Sequence, residues 1–239
     1  MAYPQDLVGK FVAYRIDPGG SMTPALAGLK VNEVLPGQVM PANVAVYTTS
    51  PAPVMGGHRA PQPAMQMGQH RVLPTALPFT NLNAPWNFTF LKYVAGGVTV
   101  APLTTPVLTG PMSGCYLCYY TRAGVQHLAH VGTANAPDSA ESVAAKTDWK
   151  AFVARPDVSL VTGGSPFDFF STAEFQAAMM DPSSIPQVCG YFAGGTAYAM
   201  LLAPVPKSKQ PPVPLMKVAS VKTMTMQPWG TIAALRTFR

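Results

Sequence analysis

Charge is what this chain has least of: 11% of its 239 residues are Asp, Glu, Lys or Arg. Long solvent-facing helices need more charge than that, and the 20 Gly and 26 Pro interrupt helical runs, so the composition favours strands and turns. The expected fold class is α+β: mostly β, with mixed or antiparallel sheets packed as a sandwich and two or more short flanking helices. Cysteine is also scarce. Three residues are an odd number and too few for a disulfide framework, and a chain of this length buries enough core to do without one, so a reducing compartment is expected. No segment reaches the ~20 uninterrupted apolar residues of a spanning helix, so no integral membrane contact is expected. The stretch MAYPQDLVGKFVAYRID lacks a basic start followed by a long apolar run, so no Sec-type signal peptide is expected either.

Acid is missing from one end. Residues 138 to 181 hold seven acids and three bases, whereas beyond Asp181 there are six bases and no acid. Such a field suits an acidic partner, but no reading motif or basic run accompanies it, and nucleic-acid binding is not expected.

Residues 1–85 read as a Pro/Gly/Met-rich region that wraps the domain or is partly flexible, and 86–239 as an α+β domain, unless the whole is one domain. Within the first part only GKFVAYRI (9–16) and NVAVYTT (43–49) look like strands. His58 and His70 each precede an arginine in a loop, a pattern better explained by chance than by metal ligation. NFTFLKYV (87–94) and GVTVA (97–101) read as a hairpin. CYLCYY (115–120) and VQHLAHV (125–131) flank TRAG and read as two adjacent antiparallel strands. Pro137 to Glu141 is a helix start with Asp138 as cap, leading to a helix that buries Val143, Trp149, Phe152 and Val153 and stops before Pro156. Ser171 to Glu174 is a second start, stapled by Phe170 and Phe175, for a helix ending at Asp181-Pro182. Further strands are expected at 188–192, 196–205, 215–226 and 231–238, with the polar loop PKSKQPPVP before the third.

The stretch LTGPMSGCYLCYYTRAGVQHLAHVGT (108–133) holds two of the three cysteines and two of the four histidines. C-x-x-C followed by H-x-x-H offers four zinc ligands, but residues three apart on a strand face opposite ways, so each pair diverges and no metal is expected. The same alternation sets Cys115 and His130 on one face: pairing across TRAG places Val125 near Tyr120 and His130 near Cys115, with His127 facing away. A thiol beside an imidazole is a nucleophile with its general base. Thr109 is a candidate to hold the other ring nitrogen, and the backbone amides of the Ser113-Gly114-Cys115 turn are candidates to bind an oxyanion. Equally, a buried cysteine and a strand histidine are common packing residues.

The string Thr109-x-x-x-Ser113-Gly114-Cys115, followed by His130-Val131-Gly132-Thr133, resembles the cysteine-dependent protein-glutamine deamidase superfamily. That superfamily includes the cytotoxic necrotizing factor catalytic domain, Burkholderia lethal factor and the chemoreceptor glutamine deamidases. The two toxin groups carry the nucleophile in Leu-Ser-Gly-Cys, where this chain has Met112 in place of leucine. The necrotizing factors place histidine fifteen residues after the cysteine, in His-Thr-Gly-Thr, which selects His130. Lethal factor uses a spacing of twelve, which selects His127 as the alternative base; the hairpin register and the His-x-Gly-Thr context favour His130. Thr109 stands where lethal factor and the chemoreceptor enzymes carry a threonine. The resemblance implies hydrolysis of a glutamine side-chain amide in a target protein without a cofactor. It further implies a bacterial toxin or effector, cytoplasmic in its producing cell or delivered to a host cytosol by a non-Sec route, with a host regulatory protein such as a small GTPase or translation factor as substrate. The alternatives are a cysteine peptidase or transglutaminase using the same pair, and a non-enzymatic structural or binding β-protein.

Overall fold

The computed structural model describes residues 4–16, 35–36, 40–49, 79–91, 93, 96–133, 136, 138–182, 184–205 and 216–235. His58, His70 and the PKSKQPPVP insert lie outside the described residues. The strands are β1 (Phe11–Ile16), β2 (Leu35–Pro36), β3 (Met40–Thr49), β4 (Phe79–Leu91), β5 (Val98–Pro102), β6 (Val107–Met112), β7 (Tyr116–Arg122), β8 (Val125–Val131), β9 (Val158–Gly164), β10 (Gln187–Ala193), β11 (Thr196–Pro204), β12 (Met216–Thr223) and β13 (Gln227–Pro228). The helices are α1 (Ala140–Val153), α2 (Thr172–Ala178) and α3 (Trp229–Ala234). The α+β, mostly β class expected from composition is what forms. One sheet closes into a barrel in the order β1-β12-β11-β10-β6-β4-β3, and the other is open, in the order β13-β9-β7-β8-β5-β2. The early strands β1 and β3 thus close the same barrel as the late strands β10 to β12.

Side-chain alternation explains how the two sheets stack. Along β11, Tyr198, Met200 and Leu202 pack with Val12, Phe88, Phe90, Leu108, Tyr191 and Val218, the set that fills the barrel. The intervening Ala197, Ala199, Leu201 and Ala203 point outward and meet Leu117 and Leu128 of the open sheet. Small residues on the outer wall let the open sheet approach: a Cβ at Gly190 would stand 3.1 Å from Leu117. The far face of the open sheet, with Tyr116, Cys118, Tyr120, Ala129 and Val131, is covered by Trp149 and Phe152 of α1 and Ile232 of α3. Barrel, sheet and helices therefore form successive layers, each excluding water from the next.

Several local expectations are corrected. The segments 87–94 and 97–101 do not form a hairpin: β4 pairs with β3 and β6 in the barrel, while β5 pairs with β8 and β2 in the open sheet. The chain crosses between layers because the two segments bury their apolar residues in different cores. The start of the strand expected over 231–238 is helical instead: α3 occupies 229–234, where Trp229 and Ile232, three apart, meet the helical layer together, and residues 236–238 lie outside the described residues. The α1 cap is Ser139 and not Asp138: its hydroxyl accepts from the Ser142 amide at 3.2 Å. Val143 is 47% exposed, whereas Trp149 and Phe152 are buried as expected. The Ser171–Glu174 capping box is formed, with Phe170 edge-on to Phe175 at 6.3 Å, and α2 closes at Ala178, short of Asp181-Pro182.

Two strands carried no readable alternation. In β6, Gly110-Pro111 looks like a turn, but a register shift against β10 places an extra residue there, so the missing proline N–H leaves the ladder intact on either side. In β9, a similar shift against β7 accompanies Leu160 at φ +52°.

Candidate functional site

The hairpin that carries the cysteine and histidine is tighter than TRAG. Arg122 pairs with Val125, so the turn is Ala123-Gly124, with φ values of +48° and +78°. This corrects the expected pairing: Tyr120 lies opposite His127, and Leu117, not Cys115, lies opposite His130. The shift is two residues, an even number, so the faces are unchanged. Cys115, just before β7, shares its face with Leu117 and stands diagonally from His130, a separation of about 7–8 Å for such positions. Both face the barrel.

β6 approaches from the barrel side and supplies Thr109. Its neighbour Gly110 has φ +150°, and a Cβ there would stand 2.6 Å from Cys189 Sγ, so only glycine allows β6 this close to β10. The Thr109 hydroxyl donates to the Leu91 carbonyl at 2.6 Å and meets His130 Nδ1 at 2.6 Å. A hydroxyl has one proton. Because a carbonyl can only accept, that proton goes to Leu91, and His130 must donate from Nδ1. Thr109 thereby fixes the tautomer, leaving Nε2 bare. Nε2 is buried and has no hydrogen-bond partner among the described residues, and His130 as a whole is 1% exposed. Burial lowers its pKa to about 3, so the ring is neutral at physiological pH.

Cys115 is 2% exposed and donates its thiol hydrogen to the Thr133 carbonyl at 3.1 Å. Burial pushes the thiol up to about 11, against the opposing pull of backbone groups at Gly114, Ser113 and Thr133. The backbone at Ser113 and Gly114 is where an anion beside Sγ gains stabilisation, since the Thr133 amide is given to the Val131 carbonyl. The site is thus a neutral thiol and a neutral imidazole rather than an ion pair. They are brought to one interlayer space without a hydrogen bond between them: the thiol is engaged by Thr133, and Nε2 has no partner among the described residues.

Two further residues, Tyr93 and Thr133, border the pair. Tyr93 tilts over His130 with ring centroids 5.5 Å apart, and its pKa is raised by burial first and then by the charges of Cys115 and Glu141. Thr133 donates its hydroxyl to the Gly114 carbonyl. Thr133 was visible as the last residue of the His-Val-Gly-Thr string. Tyr93 had no local signal, since its contact joins segments from different layers.

Cys118 and His127 lie on the helical side. Cys118 is fully buried against Gly163, where a Cβ would stand 2.9 Å from Sγ. His127 is partly exposed, stacks on Tyr120 at 5.1 Å and donates from Nδ1 to the Val125 carbonyl at 2.9 Å. The sheet separates it from Cys115. No family model matches this chain, and a search of curated proteins finds no match.

Proposed function

We propose that this chain is a cysteine hydrolase that deamidates a glutamine side chain of a target protein, with Cys115 as nucleophile and His130 as general base. The observation that carries this reading is the buried His130, held by Thr109 through Nδ1, with Nε2 bare on the face it shares with Cys115. A buried acceptor without a partner costs stability, so its persistence fits a group kept for proton transfer.

In this reading His130 Nε2 takes the thiol proton as Cys115 Sγ bonds to the amide carbon, and the oxyanion rests against the backbone at Ser113 and Gly114. The carbon–nitrogen bond then breaks as the protonated His130 gives its proton to the departing ammonia. Water, deprotonated by His130, attacks the thioester; glutamate is released and the thiol regains its proton. The raised thiol pKa fits a nucleophile deprotonated during attack rather than a standing thiolate. The target class, a host regulatory protein such as a small GTPase or translation factor, and delivery as a toxin or effector follow from the motif resemblance. Among the described residues no helix is long and apolar enough to cross a membrane.

The test is peptide mass spectrometry of host cytosolic extract treated with the full chain or with Cys115→Ala. Glutamine sites gaining about one dalton only with the wild type are expected, since water attacks the acyl-enzyme. Cys115-dependent cleavage indicates a peptidase, and cross-linking a transglutaminase. Modification that persists with Cys115→Ala rejects the assignment.

One observation favours a second reading, a non-enzymatic β-protein in which the pair only packs: Cys115 is buried and its thiol is satisfied by Thr133. Iodoacetamide separates the two. A nucleophile is alkylated in the folded protein and slows in His130→Ala; a packing thiol stays inert until unfolding.

A further inference from the structure

We propose that Thr133 is a positioning residue that orients the Gly114–Cys115 peptide, so that the Cys115 N–H serves as an oxyanion donor. The inference rests on the reading of Cys115 as nucleophile and adds a role for a residue to which that reading gives none.

The peptide following a glycine is the one most free to rotate, because Gly114 carries no Cβ to restrict it. In a planar trans peptide the carbonyl and N–H point in opposite directions, so holding the oxygen fixes where the N–H points. The Thr133 hydroxyl holds that oxygen. Donation to the carbonyl also polarises the peptide and strengthens the N–H as a donor. A nucleophile's own amide is well placed for this work, since the oxyanion forms on the carbon bonded to its side chain.

Thr133 is itself firmly placed. Its amide donates to the Val131 carbonyl at 2.9 Å, and its neighbour Gly132 donates to Gly97 at 2.8 Å and accepts from Gly96 at 3.1 Å. The Thr133 carbonyl meanwhile accepts the Cys115 thiol. One residue at the end of the histidine strand therefore contacts the cysteine turn on both sides of the peptide, at the Gly114 oxygen and at Sγ. A valine would preserve the shape of Thr133 while leaving the Gly114 carbonyl without its donor.

The experiment compares two reagents on the folded full chain. Iodoacetamide reacts by displacement at a saturated carbon and forms no oxyanion. p-Nitrophenyl acetate reacts through one: the Sγ–carbon bond forms, the thiol proton passes to His130, p-nitrophenolate leaves, and water then hydrolyses the acetyl thioester. In Thr133→Val, p-nitrophenolate release should slow about 10- to 100-fold, with alkylation of Cys115 by iodoacetamide unchanged between pH 6 and 9. Thr133→Ser, which keeps the hydroxyl, should acylate within about twofold of wild type, as expected when a hydrogen bond and not a methyl group matters.

Acylation of Thr133→Val at the wild-type rate overturns the proposal and leaves the Cys115 assignment standing. Equal slowing of both reagents overturns it too, since Thr133 then acts on the nucleophile and not on the peptide. If Thr133→Val fails to fold, Thr133→Ser decides alone: slow acylation there rejects the hydroxyl role. A wild type inert to both reagents in the folded state overturns the nucleophile assignment and this inference with it.

Discussion

The two faces of the open sheet carry the same pair of residue types and use them differently. Toward the barrel, Cys115 and His130 are both buried, and a polar chain runs from the Leu91 carbonyl through Thr109 to the imidazole, with Thr133 bound to the thiol and the turn. Toward the helices, Cys118 sits among aromatic rings, and His127 lies at the periphery, stacked on Tyr120. Residue type alone does not make a site. What distinguishes the barrel face is that Thr109, Thr133 and the Cys115 thiol each have a hydrogen-bond partner, while His130 Nε2 has none among the described residues.

The largest expected effect breaks this comparison at its centre. Cys115→Ala should abolish Cys-dependent glutamine conversion, a loss of at least about a thousandfold, whereas Cys118→Ala should leave activity within about twofold; both follow from covalent catalysis by one thiol. The rate of site-specific conversion, read by mass spectrometry, checks the pair. His130→Ala should lower the same rate by about 10²–10⁴, the usual range for a general base, and His127→Ala by less than about twofold. Equal losses in the two histidine variants would remove the distinction between the faces.

A pH titration sharpens the comparison through stability. His130 has a folded pKa of about 3, below the ~6.5 of an unfolded histidine, because burial disfavours its charge. Below 6.5 the unfolded chain takes up a proton that the folded chain refuses. The stability present above that pH is therefore lost as pH falls toward 3. Between pH 7 and pH 4 this amounts to about 3 kcal/mol, by integrating the difference in bound protons. Urea unfolding at the two pH values should show a loss larger by that amount in wild type than in His130→Phe.

The smallest effect concerns packing on the helical face. In Gly163→Ala the new methyl would stand 2.9 Å from Cys118 Sγ and 3.0 Å from the Leu117 carbonyl oxygen, and neither neighbour is the end of a long flexible chain. A loss of about 2 kcal/mol in urea unfolding is expected from overpacking. Conversion of glutamine should be retained, since the strain falls on the face away from Thr109 and His130.

Much of the sheet hairpin was legible in the sequence because period-two alternation needs no knowledge of the partner layer. It put Cys115 with His130 and His127 on the far side even though the pairing was displaced by two residues, since an even slip preserves the face. The capping box at Ser171 was equally readable, being a local exchange of hydrogen bonds. Where backbone chemistry departed from regular strand, reading failed: β6 was hidden by Gly110-Pro111 and β9 by its bulge at Leu160. The supposed hairpin at 87–101 failed differently. Its segments alternate acceptably as strands, but which sheet each joins depends on cores assembled from distant residues.

By itself the sequence determined the β-rich class, the two capped helix starts and the division of two cysteines and two histidines into unlike pairs, because propensity, capping and alternation act over a few residues. Only the tertiary structure decided that the barrel closes through early and late strands, that Thr109 reaches His130 from another layer, and that Thr133 holds the cysteine turn. The Thr109 and Thr133 contacts join segments 18 to 21 residues apart, and their distances follow from how closely two sheets pack, which in turn depends on small residues such as Gly190 and Ala199 where the layers meet.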